Sequence, residues 1–146
     1  MKALIQRVSA ASVTVDGQIV GEIEQGILAY IGLGPEDDIE TAQKMVDKIL
    51  TYRIFDNEAG KLDKNVQQVE GGLLLVSQFT LMAKTDKGRR PDFGGAMAPA
   101  QASELFEQMV AYAKQQYSKV ETGEFGANML VKADNDGPLN FILEID

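Results

Sequence analysis

Leu73-Leu74-Leu75-Val76-Ser77-Gln78-Phe79 decides how this chain folds. It is the most hydrophobic strand candidate in the sequence, and a strand with apolar residues on both faces belongs in the middle of a sheet. A second continuous apolar run, Ile27 to Leu33, is bounded by Gly26 and by Gly34-Pro35 and reads the same way. N-terminal to these, residues 2–15 are rich in Val, Ile, Ser and Thr and show no helical stripe. They read as strands at 2–8 and 11–15, and the turn pair Asp16-Gly17 returns the chain along 18–24. Between the two apolar runs the period changes: Ile39, Ala42, Met45, Val46, Ile49 and Leu50 are spaced by threes and fours after an acidic start. That spacing predicts an amphipathic helix packed on the sheet. Arg53-Ile54-Phe55 reads as a short strand ending at the turn 56–60, and 61–71 as polar loop. Beyond the loop 82–98, Pro99 opens a second helix whose stripe is Ala102, Leu105, Phe106, Met109, Val110, Ala113 and Tyr117. Strands near 119–124 and 128–134 follow, then a turn at Asn135-Asp136-Gly137-Pro138 and a last strand, 139–145. The expectation is an α+β domain over residues 1–146, a mostly antiparallel sheet system with two helices outside it.

Composition narrows the chemistry. The chain of 146 residues contains no Cys and no His. Thiolate nucleophiles, Ser-His-Asp triads, a histidine general base and nearly every ordinary zinc site are thereby excluded. Any working groups come from Ser, Thr, Tyr, Lys, Arg, carboxylates, backbone amides or the substrate, a set suited to an activated bond. No metal-ligand constellation and no phosphate-binding glycine loop is visible. The absence of cysteine fits a reducing cytoplasm. Met1 to Ile5 meets Gln6 and Arg7 at once, so no signal-peptide core is expected, and no segment is long or apolar enough to span a bilayer. A net charge of −8 argues against coating nucleic acid through a basic surface, so such contact is local. Lys84-Thr85-Asp86-Lys87-Gly88-Arg89-Arg90 is the stretch that fits, either as a phosphate-binding loop or as a solvated one.

Three further features carry chemistry. Ser77-Gln78-Phe79-Thr80-Leu81 places two hydroxyls and an amide where the central strand leaves the core. These groups either cap their own backbone or line a site, with strand-end N–H groups acting as an oxyanion hole. Gly137-Pro138 reads as a turn, or as a cis peptide presenting main-chain carbonyls with no side chain in the way. Arg7, inside a strand of small and apolar residues, is either exposed at a sheet edge or partly buried and fixing carbonyls with its fork of donors. The pairs Asp37/Asp38 and Asp134/Asp136 read as helix-start and turn residues.

Taken in order, these segments resemble the bacterial-type D-aminoacyl-tRNA deacylases. The resemblance covers essentially the whole chain. It rests on Ile5-Gln6-Arg7-Val8-Ser9 with Ser12-Val13-Thr14-Val15, Tyr52-Arg53-Ile54-Phe55, Ser77-Gln78-Phe79-Thr80-Leu81, Lys87-Gly88-Arg89-Arg90-Pro91 and Asn135-Asp136-Gly137-Pro138. It implies a barrel-like core and an obligate homodimer with active sites at the subunit interface, without metal or organic cofactor. It also implies that Ser77, Gln78, Phe79 and Thr80 line the pocket for the 3′-terminal adenosine and its aminoacyl ester. Gly137-Pro138 would enter the neighbour's pocket to hold the amino group and exclude L-side chains, with Arg7 holding that motif in place. Lys84, Lys87, Arg89 and Arg90 are the expected tRNA contacts. Catalysis would use the substrate's own 2′-hydroxyl, and glycyl-tRNA, with no side chain to reject, would be accepted. The sequence departs from the family's usual Gly-Pro-Val-Thr at Leu139-Asn140. Two rival readings remain: a non-enzymatic dimeric module binding nucleic acid or a small ligand, and an esterase with Thr80 or Ser77 as nucleophile.

Overall fold

The computed structural model describes residues 1–146. In chain order the strands are β1 (Lys2–Val15), β2 (Gln18–Ile23), β3 (Gly26–Gly32), β4 (Phe55–Asp56), β5 (Leu62–Lys64), β6 (Gly72–Ser77), β7 (Val120–Thr122) and β8 (Leu130–Glu144). Helix α1 (Ile39–Thr51) follows β3, and α2 (Pro99–Gln116) precedes β7. The main sheet runs β2-β1-β3-β6-β7, with β8 on the other flank of β1. The Leu73 run therefore lies inside the sheet as its composition requires. Leu73 and Leu75 join the large core under the helices, while Leu74 and Val76 face a second cluster with Val8, Ala11, Val13 and Leu28.

Most strand pairs are antiparallel, as the sequence implied, but β3–β6 and β6–β7 are parallel. The reason is connectivity: α1 and α2 are the crossovers, and a helical crossover returns the chain in the same direction. The sheet is nearly closed, because β2 folds over against β7. A β-carbon on Gly21 would stand 2.3 Å from the Thr122 carbonyl oxygen, so only glycine permits the approach. Gly21→Ala should therefore lower stability by about 1–3 kcal/mol, measurable by urea denaturation.

Several boundaries differ from the sequence reading. Segments 2–8 and 11–15 form one strand, because β1 exchanges partners along one flank, from β3 to β2, while β8 follows the other flank throughout. The strand expected at 53–55 shrinks to β4, whose partner β5 lies in the segment read as polar loop. Asn57 Oδ1 organises that hairpin, accepting the amides of Ala59 and Lys61 at 2.9 and 3.1 Å. The turn expected at 135–138 does not separate two paired strands. It is a bulge inside β8, both halves of which pair with β1.

The helices follow their stripes. In α1, Ala42, Met45, Val46, Ile49 and Leu50 are buried. Asp38 caps it, accepting the Thr41 amide at 2.9 Å and hydroxyl at 3.0 Å, and the amide bond above all holds its carboxyl below the usual carboxylate range. Asp37 has another task than starting the helix: its carboxylate accepts the Gly34 amide at 2.7 Å and pairs with the Met1 ammonium at 2.9 Å. In α2, Pro99 stands in the first turn, and Ala102, Leu105, Phe106, Met109 and Ala113 are buried. No helix is long and apolar enough to cross a membrane.

Candidate functional site

The central strand ends where the chain tightens. The Gln78 amide still donates to Ile31 O at 2.7 Å, but Phe79–Met82 is a 3-10 turn instead of the strand end expected at Phe79. Its first hydrogen bond is donated by Leu81 to Gln78 O, so the Phe79 and Thr80 amides lie ahead of the helical ladder. Beside this turn is a cleft of about 570 Å³, in the range of small-molecule sites. Ser77, Gln78 and Phe79 line it, together with the ends of β3 and β6 and the start of α2. Thr80 does not line it; the Gln78 side-chain amide donates to the Thr80 hydroxyl. At the rim Phe79 and Phe93 meet edge to face at 5.1 Å, 57% and 42% exposed. Exposed aromatics beside an apolar cleft make a surface for a planar ring.

The loop that follows bears the positive charge. Main-chain bonds between Lys84 and Asp92, at 2.7 and 3.1 Å, close its base. Lys84, Lys87, Arg89 and Arg90 are all exposed, and none takes part in an ion pair. Cations held this way remain free for an external anion.

Arg7 is the partly buried alternative of its two readings. Its side chain is 12% exposed; Nη1 donates to Ile54 O at 3.0 Å and Nε to Asp136 O at 3.2 Å. The Asp56 and Asp136 carboxylates stand 3.5 Å from the same guanidinium. Asp136, read as a turn residue, thus serves as an anchor. Above it Gly137-Pro138 is cis and exposed, with Gly137 at φ +130°. None of Arg7, Gly137 and Pro138 lines the cleft. One chain thus presents two separate assemblies: an apolar cleft with strand-end amides, and a glycine-proline bulge gripped by an arginine. No three His, Cys, Asp or Glu side chains converge as a metal site would need.

With this geometry established, residues 4–144 match the family described as D-Tyr-tRNA(Tyr) deacylase. The chain belongs to that family. The D-aminoacyl-tRNA deacylase of Psychrobacter sp. (strain PRwf-1) is 87% identical over 145 residues, covering 99% of both chains. Among solved structures, one described as "c-Myc DNA Unwinding Element Binding Protein" superposes with a TM-score of 0.95 at 40% identity, covering 100% of this chain and 99% of its own. A "probable eukaryotic D-amino acid tRNA deacylase" shares the fold at TM-score 0.87 and 17% identity, over 99% of this chain and 98% of its own.

Much of the cleft escaped the sequence reading. Phe93, Met97, Phe125, Ala127, Met129 and Val131 form wall and rim. They come from the loop after the basic run, the loop between β7 and β8, and the start of β8, where apolar residues look like ordinary core. Phe93 alone gave a signal, as an aromatic three residues beyond Arg90.

Proposed function

We propose that residues 1–146 act as one domain in a cytoplasmic homodimer that hydrolyses the ester of D-aminoacyl-tRNA, releasing the D-amino acid and tRNA. The observation carrying this reading is the separation of the two assemblies: Gly137-Pro138 lies outside the chain's own cleft, which supports its delivery by a second copy. The outer edge of β8, with Ile142 and Leu130 exposed, has no strand partner and offers a surface for that copy. The cleft takes the 3′-terminal adenosine against Phe79, with Ser77 and Gln78 beside the ester and Thr80 behind them, its hydroxyl accepting the Gln78 side-chain amide. The partner's bulge holds the α-amino group with main-chain atoms and leaves no room for an L-side chain, and Arg7 fixes that bulge. Glycine, lacking a side chain, passes the same test, so mischarged glycyl-tRNA is also a substrate. The ester is already activated and carries a neighbouring 2′-hydroxyl, which assists attack on the carbonyl. Charge developing on the carbonyl oxygen falls to the free amides at Phe79 and Thr80. No metal or organic cofactor enters this scheme.

The test is release of tyrosine from D- and L-tyrosyl-tRNA by purified protein without added metal. A preference for the D-ester of at least about 100-fold is expected, and equal release would overturn the chiral reading. Lys84, Lys87, Arg89 and Arg90 meet tRNA phosphates. Replacing Lys87, Arg89 and Arg90 with alanine should weaken tRNA binding and flatten its log–log salt dependence by about 2–3. Cleavage of a minimal aminoacyl-adenosine should hardly change; equal damage to both substrates would make the loop part of the reacting site. A second reading, nucleic-acid binding through this loop without turnover, is favoured by the DNA-binding name of the neighbour at TM-score 0.95. It predicts salt-sensitive binding and no release of amino acid.

A further inference from the structure

Between the pairings Val8 with Asn135 and Gln6 with Asn140, β1 supplies one residue, Arg7, and β8 supplies four, Asp136 to Leu139. A bulge of that size strips main-chain groups on both strands of their ladder partners. The Asn135 side chain replaces them: its Nδ2 donates to Arg7 O at 2.9 Å and to Leu139 O at 3.2 Å. Only the amino end of the amide can serve two carbonyls, so its orientation is fixed by chemistry. The first bond fixes the main chain of the residue whose side chain reaches Asp136 O. The second closes the bulge at its base, running from Asn135, two residues before Gly137, to Leu139, the residue just after Pro138. Arg7 and Asn135 thus form a closed ring: the asparagine holds the arginine's carbonyl, and the arginine holds the carbonyl next to the asparagine.

We infer that Asn135 is a positioning residue for chiral discrimination, its amide holding the base of the Gly137-Pro138 bulge and the Arg7 beneath it in one arrangement. This rests on the reading that Gly137-Pro138 selects the hand of the substrate. Asn135 does not line the cleft, so its effect passes through the bulge. An amide is required because both acceptors are neutral carbonyls: a carboxylate of the same shape would face them without a donor.

The experiment compares full-length Asn135→Asp and Asn135→Ala with Gly137→Ala, measuring kcat and KM on D- and L-tyrosyl-tRNA and the melting temperature. Both Asn135 variants should reduce the D-over-L ratio of kcat/KM by about tenfold or more, chiefly through kcat, with KM for tRNA changed by less than about twofold. A merely structural role would lower the melting temperature and both activities in proportion; an unmoved ratio therefore overturns the inference. Should Asn135→Ala fail to fold, the isosteric Asn135→Asp decides. If Gly137→Ala shifts the ratio and the Asn135 variants do not, the inference falls and the reading beneath it stands. If Gly137→Ala leaves the ratio unmoved, that reading fails and the inference falls with it.

Discussion

Gly137→Ala is expected to lower kcat/KM toward D-tyrosyl-tRNA by roughly 100-fold or more while the protein stays folded, a loss equivalent to about 2.7 kcal/mol of transition-state binding. Two features set the size of the effect. Gly137 has φ +130°, a conformation L-residues rarely adopt, and holding alanine there costs on the order of 1–3 kcal/mol. The added β-carbon would also stand 3.0 Å from the Leu139 amide nitrogen and 3.4 Å from Arg7 Nη2. The bulge relieves both by shifting, and a shift of its main-chain atoms misplaces the groups proposed to receive the α-amino group. Stability suffers less, because Gly137 is exposed and the β1–β8 ladder resumes on either side of the bulge. The melting temperature should fall by no more than about 5 °C. Wild-type kinetics in this variant would remove Gly137 from the site.

The central strand was legible because four consecutive apolar residues leave few alternatives, and both helices were legible because their stripes are regular. Closure of the barrel came from the family resemblance and left no mark in the residue pattern, since it requires Gly21 to meet the Thr122 carbonyl far along the chain. β5 was missed for a different reason: Leu62-Asp63-Lys64 has no buried face, and the Arg53–Asp63 pair and the Asn57 turn that accompany it leave no apolar pattern. At the site, Ser77, Gln78 and Phe79 were visible because polar groups end an apolar run. The remaining wall was hidden because Met97, Phe125 and Met129 differ from core residues only in facing a void. Arg7 stood out as a charge within a strand. Its anchors Ile54 and Asp56 come from a segment far along the chain, and the Asn135 amide finds its partners only across the bulge in β8, so none of the three left a pattern in the sequence.

Mixing two inactive variants should restore activity to about a quarter of the wild-type value, the strongest expected consequence of a site shared between subunits. One variant, Ala127→Trp, fills the cleft with an indole while keeping its own Gly137-Pro138; Ala127 lies in a loop and lines the cleft. The other, Gly137→Ala, keeps its cleft and spoils its bulge. Each homodimer has two damaged sites. In a mixed dimer one site combines both defects and the other has neither, because the intact cleft receives the intact bulge. Random reassociation makes about half the dimers mixed, and half of their sites are whole, which sets the ceiling near one quarter. The mixture must be unfolded and refolded together, or coexpressed, since an obligate dimer exchanges subunits slowly or not at all. Activity on D-tyrosyl-tRNA that stays at the level of the separate variants, in a sample shown by two affinity tags to contain mixed dimers, would place both halves of the site within one chain. The cleft lining argues against that outcome, since neither Gly137 nor Pro138 reaches it from its own chain.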